Sequence, residues 1–181
     1  MDATKAIDAV VITGAGRGLG RAIARRFGAA RIPVLCIART DTAASTRDEI
    51  IALGGTAESR EVDLAQPEVV EECIGRWIGE RPYNRVGVVL AAGVLGEGGG
   101  LGDANLADWS RTFTTNVLGN LAVVRALLPR MLTAKFGRIV TFAGGGAAYA
   151  YPLFSAYAIS KAAMVRATEN LEVELKDPKI A

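Results

Sequence analysis

The chain has 181 residues, 50% of them hydrophobic, with 21 basic against 19 acidic side chains for a net charge of +2. That length supports one well-buried core and falls short of two ordinary domains, so a single domain over 1–181 is expected. The near-balanced charge offers no nucleic-acid surface, and a chain with no histidine and two cysteines excludes His-based triads, histidine-held metals and a structural zinc site.

The apolar runs are strand-sized and no basic-then-apolar leader opens the sequence, so a cytoplasmic protein is predicted. Cys36 and Cys73 fall in segments that read as a strand and a helix, and are expected to be free buried thiols. Proton chemistry near pH 7 is left to carboxylates, tyrosine or lysine.

In chain order, Ala9-Val10-Val11-Ile12-Thr13 is a continuous β-branched run, as in a strand buried on both faces. Gly14-Ala15-Gly16-Arg17-Gly18-Leu19-Gly20 follows, and then Leu19, Ile23 and Phe27 recur at helical spacing. Strand, glycine-rich turn and helix in that order place free helix N–H groups where a pyrophosphate can rest. The spacing is Thr13-Gly14-x-x-x-Gly18-x-Gly20 rather than G-x-G-x-x-G, and no Gly-Lys-Ser/Thr makes a P-loop. A tight turn without a ligand is the alternative.

Residues 33–38 read as a second buried strand, completing a βαβ unit. NAD-binding units carry an acid near its end. Here the strand runs out at Ala38-Arg39-Thr40, and Arg39 together with Arg17 offers two guanidinium groups to a 2′-phosphate, which favours NADP(H). Asp41 is the competing acid, and plain solvation is the alternative for either arginine.

Residues 42–53 have the caps and spacing of a helix closed by Gly54-Gly55. Residues 56–62 read as a strand ending at Asp63-Leu64, and Pro67 opens a helix with Val70, Cys73, Ile74, Trp77 and Ile78 on its apolar positions. Residues 86–91 form a fourth buried strand before Ala92-Gly93 and a glycine-rich loop over 96–102 that is expected to border a cleft. From Asp103 to Lys135 the pattern is helical, with a kink or break expected at Pro129. Within it, Asn116 is an amide in an apolar setting and needs a partner if buried.

Residues 137–143 are a fifth strand ending in Gly144-Gly145-Gly146, and a last helix begins at Ser155. On that helix Tyr157 and Lys161 are one turn apart and share a face. A free phenol titrates near ~10, and a neighbouring ammonium favours the phenolate, so the pair is a candidate acid/base for a carbonyl or alcohol. An exposed tyrosine with a solvated lysine is the alternative. Strands that alternate with helices, each strand a near-continuous apolar run, predict an α/β fold: a Rossmann-like, doubly wound parallel sheet in three α/β/α layers. The glycine turn, Arg39, Asp63, Gly93 and the loop after Ala143 all fall at the carboxyl ends of strands, where such sheets bind ligands.

Together these pieces resemble the classical short-chain dehydrogenase/reductase family. The matching motifs are Thr13-Gly14-x-x-x-Gly18-x-Gly20, Asp63-Leu64, Ala91-Ala92-Gly93, Asn116-Val117-x-Gly119, Gly137-Arg138-Ile139-Val140 and Tyr157-x-x-x-Lys161-Ala162-Ala163, spread from residue 9 to about 175. The resemblance implies an NADP(H)-dependent oxidoreductase for a small-molecule carbonyl/alcohol pair. It places Gly14, Arg17, Gly18, Leu19 and Gly20 at the cofactor, Asp63 at the adenine and Ala91-Ala92-Gly93 along the dinucleotide. It makes Asn116 the holder of a relay water and Tyr157 the acid/base, and has Lys161 bind the nicotinamide ribose and lower the tyrosine pKa. A homodimer or homotetramer, paired through the Asn116 and Tyr157 helices, is expected.

The departures from the family are specific. Its serine at the end of the fifth strand has no counterpart in Thr141-Phe142-Ala143-Gly144-Gly145-Gly146, and Leu90 stands where an asparagine is common. Thr141 lies ~6–7 Å along the strand from the serine's place, too far without a register shift. Lys179-Ile180-Ala181 reads as the start of a sixth strand, as in a fragment of a longer protein. The missing serine supports an alternative: a dinucleotide-binding subunit or sensor without catalysis. A bare oligomer scaffold is the third reading.

Overall fold

The computed structural model describes residues 7–175 and residue 180. Five parallel strands, β1 (Ala9–Thr13), β2 (Val34–Ala38), β3 (Ala57–Glu61), β4 (Val86–Leu90) and β5 (Gly137–Thr141), form one sheet in the order β3-β2-β1-β4-β5. Helices α1 (Gly18–Ala29), α2 (Thr42–Ala52) and α3 (Pro67–Gly79) follow the first three strands. After β4 come α4 (Leu106–Phe113), a π-helical turn (Thr114–Leu118) and α5 (Gly119–Ala134); α6 (Gly145–Ala148) and α7 (Ser155–Leu175) follow β5.

The two faces of the sheet follow the period-2 alternation of its strands. Val10, Ile12, Val34 and Cys36 pack with Ala24 of α1 and with Ala43 and Ile50 of α2. Val11, Leu35, Ile37 and Val88 face Val70 and Ile74 of α3 and Val123 and Leu127 of α5. All five residues of β1 and of β4 are buried, which is why those runs are apolar throughout. Each fully buried Ile, Leu or Val contributes roughly 1.5–3 kcal/mol relative to exposure. Both cysteines are free; burial pushes the Cys36 thiol up to about 12, so it stays protonated.

Three sequence expectations need correction. β3, Ala-Glu-Ser-Arg-Glu, is not an apolar run: it is an edge strand, and Glu58 accepts from Arg60, Arg81 and Trp77 Nε1. Charge on an edge resists further strand pairing. Residues 103–135 are not one helix. Asp103 ends a short 3-10 turn (Leu101–Asp103), and α4 starts only at Leu106, where Asn105 Oδ1 accepts from the Ala107 N–H at 2.9 Å. At Pro129, by contrast, α5 is not interrupted. The strand-sized apolar runs stand as read, and the helical stretch Leu106–Ala134 is long and apolar enough by composition to cross a membrane. Val117, Val123, Val124, Leu127 and Met131 bury it in the core of this domain.

Ile180 makes a parallel bridge with Gly137 on the free side of β5, where a sixth strand was expected; Lys179 and Ala181 lie outside the described residues. The strand order reverses between β1 and β4, which places a crevice at their carboxyl ends.

Candidate active site

The crevice is floored by two turns in contact. Thr13 pairs in register with Leu90, so the residues that follow them, Gly14 and Ala91-Ala92, lie side by side. A Cβ on Gly14, whose φ is +67°, would stand 2.9 Å from the Ala92 backbone; only glycine fits. Gly18 is also at positive φ (+55°) but faces open space, and Leu19 on the first turn of α1 is 64% exposed. Gly20 packs so closely on the Gly14 carbonyl that a Cβ there would come within 2.3 Å. The α1 N-terminus has no side-chain cap and no acid in its first turn, so its N–H groups remain available to an anion.

Arg17 is the residue before α1 and is exposed, as is Arg39 just beyond β2. Their segments meet where Gly16 backs onto Thr42, with no room for a Cβ between them. Neither guanidinium has an ion-pair partner among the described residues. Asp41, exposed, precedes α2 without capping it. Asp63 is half-buried after β3, and its Oδ1 accepts from the Ala65 N–H at 3.0 Å, which fixes the turn and leaves its second oxygen for a ligand.

Across the crevice, α7 brings up the proton-handling pair. Lys161 is 8% exposed, its Nζ donating to the Phe142 carbonyl at 3.0 Å and lying 5.7 Å from the Tyr157 ring centroid. Burial pushes the lysine pKa down. A Cβ on Gly93 would lie 3.7 Å from Lys161 Nζ and 3.3 Å from Asn116 Oδ1, so the turn after β4 reaches the pair directly.

Asn116 sits in the π-helical turn, 1% exposed, and has the partner its burial demands. Its Oδ1 accepts from the Val94 N–H at 2.7 Å, and its Nδ2 donates to the Val94 carbonyl at 2.8 Å and to Ser160 Oγ at 2.9 Å. Ser160 Oγ in turn donates to the Tyr157 carbonyl at 2.7 Å, tying the π turn to the α7 turn that bears both candidates.

Gly144, in the stretch where a serine was expected, faces the tyrosine. A Cβ on Gly144 would lie 3.0 Å from the Tyr157 hydroxyl. Ala143 is exposed, and Thr141 Oγ1 is engaged with Thr168 Oγ1 at 3.0 Å, so Thr141 does not stand in for the serine. Tyr151 lies beside Tyr157, ring centroids 6.1 Å apart and planes inclined at 50°.

Gly14, Arg17, Gly18, Leu19, Gly20, Ala91, Ala92, Gly93, Asn116, Tyr157 and Lys161 thus gather at the carboxyl ends of β1, β4 and β5, with Arg39 and Asp63 at the ends of β2 and β3. Sequence reasoning passed over Ser160 and Asn120. Asn120 is one helical turn from Asn116, and that i, i+4 spacing of two amides in an apolar helix was a readable signal.

A family model described as short chain dehydrogenase matches residues 8–181. A short chain dehydrogenase of Pseudocercospora fijiensis is 31% identical over 169 residues, 92% of this chain and 54% of that protein, so the chain spans little more than half of that relative. A putative NAD(P)-dependent gluconate 5-dehydrogenase of Beutenbergia cavernae, solved with NADP, has a TM-score of 0.84 at 32% identity, over 92% of this chain and 66% of that one. An NAD+-bound xylitol dehydrogenase has a TM-score of 0.86 at 26% identity, over 94% of this chain and 66% of that one. The chain belongs to the short-chain dehydrogenase family.

Proposed function

We propose that this chain forms the dinucleotide-binding and acid–base part of an NADP(H)-dependent oxidoreductase that interconverts a carbonyl and an alcohol. The observation that carries the reading is that one turn after β4 touches both parts: Ala92 lies against Gly14 of the glycine turn, and Gly93 lies against Lys161, whose Nζ is 5.7 Å from the Tyr157 ring centroid. Bound there, the nicotinamide would supply or accept the hydride.

The open face of Gly18 and the free N–H groups of α1 suit a pyrophosphate. Of the similar structures above, one holds NADP and another NAD+. Arg17 and Arg39, exposed on adjoining segments, favour the 2′-phosphate of NADP(H). In reduction, Tyr157 gives its phenolic proton to the substrate oxygen; in oxidation it takes that proton back. Lys161, anchored on Phe142, presents its ammonium to the phenol and to a ribose hydroxyl. Asn116 has both amide hydrogens engaged and keeps acceptor capacity on Oδ1 for a relay water.

The test is loss of reduced-nicotinamide absorbance with NADPH and a panel of ketones, using the longest natural form of the protein. Turnover abolished by Tyr157→Phe supports the reading. The second reading, a catalytically silent NADP(H) sensor, is favoured by the bare Gly144, which leaves the substrate oxygen without a serine donor. Tight NADPH binding without turnover on any ketone would select it.

A further inference from the structure

Asn120, in the first turn of α5, is 2% exposed and lies behind the crevice, yet its carboxamide is fully engaged. Its Oδ1 accepts from Thr13 Oγ1 at 3.1 Å, and Thr13 Oγ1 accepts from the Ala92 N–H at 3.0 Å. Its Nδ2 donates to the Ala92 carbonyl at 3.2 Å and to the Asn116 carbonyl at 3.0 Å, with a longer approach to Thr115 O at 3.4 Å. The bonds close a ring: Ala92 N–H to Thr13 hydroxyl, hydroxyl to Asn120, Asn120 back to Ala92 C=O. Both polar atoms of one peptide residue are thereby held by side chains from β1 and α5.

Ala92 is where the two halves of the crevice touch. Gly14 leans on its backbone from the glycine turn, and Gly93, its neighbour, lies against Asn116 and Lys161. A shift of Ala92 changes the separation between the dinucleotide seat and the proton-handling pair, while leaving the α1 N-terminus in place. We infer that Asn120 is a positioning residue that fixes this separation through Ala92, an inference that rests on the oxidoreductase reading. Buried amides with every group satisfied rigidify the backbone they hold, and partial loss leaves unpaired polar atoms that loosen it.

The test compares Asn120→Leu with Ile74→Val, a core change on α3 that lowers the melting temperature without touching the ring. The readouts are kcat, the Kd for NADPH, and amide hydrogen exchange of the peptide carrying residues 91–95, all well below either melting temperature. Asn120→Leu is expected to lower kcat at least tenfold, weaken NADPH less than threefold, and speed exchange at Ala92 to Val94 at least tenfold. Ile74→Val should change none of the three. If Asn120→Leu does not fold, Thr13→Val opens the same ring and carries the same expectation, and Thr13→Ser should restore it.

Wild-type kcat and exchange in Asn120→Leu, with only a lowered melting temperature, would overturn the inference. If the wild type turns over no carbonyl, the oxidoreductase reading fails by itself; exchange then decides whether Asn120 holds Ala92, faster exchange supporting it and unchanged exchange overturning it.

Discussion

Tyr157 stands over a residue that has no side chain. Gly144 lies against its hydroxyl, in the stretch where the resemblance implies a serine, and a Cβ there would need the phenol to yield by a few tenths of an ångström. Gly144→Ser should therefore raise the rate of carbonyl reduction at least tenfold, since one oriented donor to a developing oxyanion is worth ~10²–10³. Ala143→Ser, exposed beyond the end of β5, should change nothing. Equal rates in Gly144→Ser and wild type, measured at saturating NADPH, would remove the missing hydroxyl as the limit.

Lys161 gives a second residue-scale prediction. Its pKa is lowered by burial from the ordinary 10.5, so between the folded value and 10.5 the unfolded chain keeps a proton that the folded chain has released. Stability contributed at this site therefore rises with pH across that window. The melting temperature of wild type minus that of Lys161→Met should grow as pH is raised from neutral toward 10.5; a flat or falling difference would contradict the buried-ammonium account. Tyr157 and Lys161 were legible because their chemistry and spacing are local. The spacing of Asn116 and Asn120 was visible too, but the roles of Asn120 and Ser160 were not, because they depend on partners 107 and 44 residues away.

At the scale of elements, β1, β2 and β4 announced themselves as apolar runs because both of their faces are covered. β3 did not fit that pattern, because at the end of the sheet it has one buried residue of five. The late start of the long fourth helical segment was missed although Asn105, a residue type favoured at N-caps and disfavoured inside helices, marks it. The π turn at Thr114–Leu118 has no sequence mark of its own, yet it contains Asn116, in keeping with the occurrence of such turns at functional sites. The two segments that carry Arg17 and Arg39 meet at Gly16 and Thr42, and the proposed preference for NADP(H) is tested at that junction. Arg39→Ala should weaken NADPH at least tenfold more than NADH in fluorescence titrations; equal weakening would end the 2′-phosphate assignment.

For the whole molecule, the order β3-β2-β1-β4-β5 concentrates every candidate residue along one edge, and alternating strands and helices made that topology readable in advance. The opposite side of α7 has another use. Ala156 and Ile159, turned away from Tyr157, join Leu106, Trp109, Phe113 and Leu118 around a groove of about 340 Å³. The homodimer expected from the sequence would bury this groove against a second copy. Trp109→Glu should convert the dimer to monomer in sedimentation velocity, and an unchanged oligomeric state would place the interface elsewhere.

The central claim is spatial: Tyr157 faces a nicotinamide whose pyrophosphate rests on the turn from Gly14 to Gly20. The most direct measurement is NMR of the NADPH complex with labelled tyrosine, the Tyr157 ring signals being assigned by their loss in Tyr157→Phe. Magnetisation transfer between the nicotinamide ring protons and Tyr157 is the predicted result. Saturating NADPH that contacts other tyrosines alone, or none, would contradict the account.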